Sequence, residues 1–245
     1  MPTGMGSLVV ATAYGVVRCA LGWACWKTYL GRPETDVSRR NAMTELGNGL
    51  LVVDRHADAL TVQEAELTTL RRAPIYYSAA DEEAILMVQG NLAITYEKLG
   101  RLETALCLKR DVYSGRLKLY GEEHRETLRD AFNYAGSFVR LRRFGEAKSL
   151  LCKTIPVVRR VMRDSSEVSI RMRVLYAQAL YIDASATLDD IREAATTLEE
   201  IEQTARRVLG GAHPLTSRIE AALRDAQAAL RAREAGERVV FVQRK

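Results

Sequence analysis

Proline and aromatic residues are both scarce: five prolines in 245 residues, and 7% Phe, Trp and Tyr. With so little proline and 47% hydrophobic residues, disorder throughout the chain is excluded. Histidine is limited to His56, His124 and His213, and cysteine to Cys19, Cys25, Cys107 and Cys152. No two cysteines form a C-x-x-C pair, and no histidine stands at ligand spacing from one, so the pattern gives neither a zinc site nor a disulfide framework. The expectation is free thiols in a reducing compartment, packed as small hydrophobes. There is no P-loop, no glycine-rich dinucleotide fingerprint and no H-E-x-x-H. No apolar run reaches the roughly 18 residues of a membrane span.

What is abundant is Ala, Leu, Arg and Glu, residues that lose little side-chain freedom in a helix. The net charge is +5 and the pI about 9.1. Basic and acidic residues interleave, as in "LKRDVYSGRLKLYGEEHRETLRD", which reads as a solvated surface of mixed sign. The modest basic excess leaves room for a surface that favours acidic partners.

Residues 7–30 are rich in apolar side chains, interrupted by Arg18. Lys and Arg are missing from the residues before this stretch, which argues against a secretory leader. Ala20, Trp23, Ala24, Trp26 and Leu30 recur at helical spacing, so the expectation is a buried repeat helix with those residues inward. A membrane anchor is the second reading.

The dominant signal is internal repetition. Segments starting at Asn91, Asn133 and Leu175 align. Ala93, Ala135 and Ala177 lie 42 residues apart, as do Ala105 and Ala147, and Ala194 follows Ala147 by 47. The intervals Gly121 to Gly210, His124 to His213 and Thr127 to Thr216 are all 89, so several landmarks agree on one five-residue insertion near "DASATLDD". A weaker unit precedes them, with Leu46 on Leu92 and Ala59 on Ala105. Each unit reads as two amphipathic helices, the small alanines allowing the pair to approach closely, and neighbouring pairs must stack to bury their stripes. The expected organisation is a degenerate helical repeat over 1–40, tandem repeats over 41–213, a capping helix over 214–234 and a tail over 235–245. The fold class is all-α, an α-solenoid of stacked antiparallel helix pairs forming a right-handed superhelix.

The pattern "NLA…Y…LGR…ETAL" followed by "YSGRLKLYGEEHRETL", together with "RRVLGGAHPLTSRI", resembles the 42-residue tetratricopeptide repeats of kinesin light chains over roughly residues 40–230. The segment "YLGRPETDVSRRNAMTELGNGL" is also similar to kinesin-light-chain-like proteins of unicellular algae. Neither a heptad coiled coil nor a motor domain accompanies the repeats. Two departures stand out: "RDSSEVS" replaces the Gly-x-x-His loop, and "YIDASATLDDIREA" replaces a short turn. Each is either repeat decay or a place where a partner is read.

The resemblance implies a peptide groove along the first helices of the pairs. With Gly47, Ala93, Ala135 and Ala177 as the shared small position, the family's groove positions fall on Asn41, Thr44 and Asn48, then on Asn91, Glu97 and Lys98. They continue on Arg129, Asn133 and Arg140, and end on Arg171 and Gln178. Asn offers donor and acceptor to an extended backbone, and Arg offers a fork to carboxylates. The expected function is a cytoplasmic protein-interaction scaffold or adaptor holding a peptide of acidic character. A helical-repeat RNA-binding protein and a membrane-anchored adaptor are the alternatives. No enzyme, catalytic residue, metal site, cofactor or small-molecule substrate is expected, and neither nucleic acid nor a membrane is the expected partner. The repeat equivalence of His124 and His213 points to a structural role at helix ends. The acidic pairs Glu122–Glu123 and Asp189–Asp190 fit helix N-termini, and Ser165–Ser166 has no histidine to activate it.

Overall fold

The computed structural model describes the backbone of residues 4–72 and 79–243, and the side chains of residues 15–72 and 79–235. Among the described residues there are ten helices and no strand. The chain divides into two compact units, Met1–Leu119 and Tyr120–Lys245.

In the first unit α1 spans Gly4–Tyr29, α2 Val37–Val52, α3 His56–Arg72, α4 Ala79–Lys98 and α5 Leu102–Tyr120. Each helix from α1 to α4 packs on the next, and α2 also touches α4. α5 packs on α4 closely enough that a Cβ at Gly115 would lie 2.6 Å from Leu86. In the second unit α6 spans Arg125–Arg140, α7 Phe144–Met162, α8 Glu167–Tyr181, α9 Leu188–Leu209 and α10 Pro214–Gln243. There too each helix packs on the next, and the first helices of successive pairs meet, α6 on α8 and α8 on α10. This all-α pattern of pair, next pair, and first helix on first helix is the building plan of an α-solenoid.

The alanines are where the repeat needs them. Ala93, Ala135 and Ala177 on the first helices and Ala105, Ala147 and Ala194 on the second are all fully buried. A methyl is all that fits between backbones there, and a larger side chain would overpack the contact. Around the alanines in the second unit, Ile170, Leu180, Leu198, Ile201 and Ile219 fill one continuous core.

Helix ends explain the two departures from the repeat. His124 Nδ1 accepts from the N–H of Glu126 at 3.3 Å, and His213 Nδ1 accepts from that of Leu215 at 3.2 Å. Ser166, 42 residues after His124, does the same at α8, its hydroxyl accepting from the N–H of Ser169 at 3.2 Å. Gly121 and Gly210 have φ of +83° and +88°, and Arg163 at the matching position has +66°. The "RDSSEVS" loop therefore keeps both jobs of the Gly-x-x-His loop with different residues. The inserted turn is equally built. Asp183 accepts from the N–H of Ser185 at 2.9 Å, and Thr187 and Asp190 form a reciprocal capping box at the start of α9. Asp189 and Asp190 thus sit inside the first turn of α9 rather than ahead of it.

Three expectations need correction. α1 is a helix, but Ala20, Trp23, Ala24 and Leu30 are exposed and only Trp26 of that stripe is half-buried. The packed face is the other one. Gly22 approaches the backbone of Leu46, Gly49 of α2 approaches the backbone of Cys19, and Gly15 meets Val52. The thiols are free, but only Cys19 is partly buried, while Cys25, Cys107 and Cys152 are exposed. Finally, α10 is 30 residues long and continues to Gln243, through most of the stretch expected as a tail.

Candidate functional site

The first helices of the pairs carry the expected groove positions, and each unit presents its own set. On α2, Asn41 is exposed and Asn48 half-buried, one helical turn apart on either side of Thr44. The Thr44 hydroxyl is already engaged by Glu66 of α3. Glu66 is 2% exposed, and burial pushes its carboxyl up to about 7, against the smaller opposing pull of Thr44 and Arg40. Next to it the Thr95 hydroxyl of α4 donates to the Gln63 carboxamide at 2.6 Å. The face of α2 and α4 is therefore backed by a buried polar cluster contributed by α3.

On α4, Asn91 is half-buried and Lys98 exposed, seven residues apart and hence on one face. Glu97 turns away from them. Its side chain is only 10% exposed and meets the ammonium of Lys109 on α5 at 2.6 Å, a buried tie between the two helices of a pair.

The second unit gives a more defined arrangement. Phe132 of α6, Arg171, Val174, Leu175 and Gln178 of α8, and Leu215, Arg218 and Asp225 of α10 line a cavity of about 230 Å³. The floor is apolar, with Val174 and Leu215 buried. Two guanidinium groups, a carboxamide and one carboxylate stand around it. Arg171 pairs with Glu167 one turn back at 2.6 Å, on its own helix and exposed, a pairing that costs little to exchange for another anion. Arg218 has no ion pair among the described residues. Tyr181 also borders the cavity, its phenol held above its ordinary value by burial first and by the Asp225 carboxylate second.

Of the expected residues, Arg171 and Gln178 come together at this cavity. Arg129 is exposed, paired with Glu126, and shares a face of α6 with the half-buried Asn133. Arg140 is exposed at the end of the same helix. Phe132 of α6 and Arg218 and Asp225 of α10 lie outside the groove positions that the resemblance implies, which take no residue from α10. The signal is present all the same. Arg171 follows Arg129 by 42 residues and Arg218 follows it by 89, the interval that separates His124 from His213. One arginine per first helix recurs at one repeat position on α6, α8 and α10.

This geometry matches known repeat structures. A Podosopora anserina protein of nearly identical TPR-like repeats, assigned to the kinesin light chains, superposes with a TM-score of 0.67 at 19% identity, covering 84% of this chain and 94% of that one. The fold is that of a tetratricopeptide-like repeat protein. BtubC (BKLC) from P. vanneervenii superposes with a TM-score of 0.56 at 14% identity, covering 97% of this chain and 92% of that one. No protein-family model and no curated protein sequence matches the chain. Tetratricopeptide-like repeats generally serve as protein-interaction scaffolds, and at these identities the likeness carries the fold alone.

Proposed function

We propose that the chain is a protein-interaction scaffold whose first-helix faces hold a peptide of acidic character, with the cavity of α6, α8 and α10 as the principal subsite. The observation that carries this reading is the arginine recurring at one repeat position, Arg129, Arg171 and Arg218, two members of which border an apolar cavity. An apolar floor takes an aliphatic or aromatic side chain, and the arginines take carboxylates beside it, bidentately where geometry allows. Gln178 supplies donor and acceptor to the peptide backbone. On the faces of α2 and α4, Asn41, Asn48 and Asn91 are proposed to do the same. The reading involves no catalytic step. Free thiols on the surface fit a reducing setting such as the cytoplasm.

The test is selection of peptides from a random library on the full chain. Enrichment of sequences that combine carboxylates with an apolar residue is expected, with affinity falling as salt rises. Arg171→Glu and Arg218→Glu should each weaken the selected peptides by about tenfold. Failure to enrich any peptide, or equal binding by both variants, would overturn the reading.

A further inference from the structure

α1 is apolar on two opposite sides. One side packs on α2 through Gly15, Cys19, Gly22 and Trp26. On the other, Val16, Val17, Ala20, Leu21, Trp23 and Ala24 are all exposed, Leu21 at 61% and Val16 and Val17 at 56%. At 100° per residue these six form one continuous arc. A helix that is apolar all round is ordinarily covered all round, and among the described residues α1 packs on α2 alone.

The chemistry of the arc says what covers it. No acidic residue occurs before Glu34, whereas Arg18, Lys27 and Arg32 precede it. Arg18 lies at the α2 edge, 3.6 Å from Glu45. Lys27 belongs to the exposed arc at its C-terminal end and has no ion pair among the described residues. Trp23 stands beside it, with Trp26 and Tyr29 half-buried nearby. Apart from Lys27 and Thr28 the arc offers no polar side chain, so it lacks the directional groups that ring a protein interface. An apolar strip ending in tryptophan and a cation, without a carboxylate, fits the boundary between acyl chains and anionic headgroups. The opposite side of α1 is covered by α2, so the exposed strip would meet such a surface with the helix in its plane.

We propose that α1 docks this chain on an anionic lipid surface through Val16, Val17, Ala20, Leu21, Trp23 and Ala24, with Lys27 meeting the headgroups. The experiment is sedimentation of the full chain with vesicles of phosphatidylcholine plus phosphatidylserine, and with vesicles of phosphatidylcholine alone. The chain's two tryptophans, Trp23 and Trp26, both lie on α1, so their emission reports the docking directly. Wild type is expected to sediment with the anionic vesicles and to shift its emission to the blue. The double variant Val17→Glu, Leu21→Glu alters exposed positions only, and circular dichroism should show its helices intact. It should lose vesicle binding by about tenfold or more. Lys27→Glu should lose about fivefold, and only on the anionic vesicles.

The proposal is overturned by wild type remaining in the supernatant with both vesicles, or by the double variant sedimenting like wild type. Equal binding to both vesicle types removes the anionic requirement and with it the role of Lys27. A wild-type dimer by light scattering that the double variant dissociates, with no vesicle binding, assigns the arc to a second copy of the chain instead.

Discussion

At the scale of single residues, the repeat shows which positions are structural because it solves the same problem several times with different side chains. The loop before each first helix in the second unit needs one residue at positive φ and one acceptor three residues on. Gly121 and His124 supply them, then Arg163 and Ser166, then Gly210 and His213. Arg163 sits at φ +66°, ψ +150°, a region that essentially only glycine occupies without strain. Arg163→Gly should therefore raise stability by about 1 kcal/mol in urea denaturation, whereas a loop tuned around the arginine side chain would give no gain. Glu66 makes the opposite case, a residue whose environment is invisible in the sequence. There it is legible only as one acid among 31 Asp and Glu, because its burial depends on Thr44 of α2 and the path of α3. Its folded-state value near 7 lies above the ordinary 4.5. The unfolded chain thus ionises first as pH rises, and stability is lost between about pH 4.5 and 7. Glu66→Gln should remove that loss. Measured as urea midpoints against pH, the variant should gain up to about 3 kcal/mol on wild type at pH 8 and lose the advantage below about pH 5.

At the scale of elements, the helices themselves are legible in the sequence, and so is the face each one buries wherever a repeat partner exists for comparison. Ala93, Ala135 and Ala177 recur, so their burial follows from the spacing. α1 has no counterpart, and its apolar residues fall on two opposite stripes, Ala20–Trp23–Ala24 and Gly15–Cys19–Gly22–Trp26. Periodicity alone cannot choose between them. The choice is made by α2, whose Gly49 lets the backbone of Cys19 approach while Gly22 admits Leu46 in return. A Cβ on Gly22 would lie 2.9 Å from the Leu46 Cα and 3.0 Å from a backbone oxygen, and neither can move without separating the helices. Gly22→Ala should destabilise the chain by about 1–3 kcal/mol despite its better helix propensity. Gly90→Ala, in the middle of α4 with open space around it, should stabilise by about 0.5–1 kcal/mol. Thermal melts of the two variants with the same sign would remove the close approach of α1 and α2 from the account.

At the scale of the whole molecule, the 42-residue period carries the fold, and the five-residue insertion that breaks it is an ordered turn closed by Asp183, Thr187 and Asp190. Counted one step further along the chain with that insertion included, the repeat puts Arg218 at the position of Arg171, 47 residues on. The fate of Glu97 cannot be counted that way, since its pairing with Lys109 depends on how α4 and α5 sit against each other. The proposed peptide site rests on Arg129, Arg171 and Arg218, and the measurement that tests it most directly is a second peptide selection on the doubly reversed protein, Arg171→Glu with Arg218→Glu. A site that reads charge should now enrich peptides bearing lysine or arginine where the wild type took carboxylates, on the same apolar residue. Enrichment of the same acidic peptides by both proteins would contradict the account, because it would place the binding away from this face.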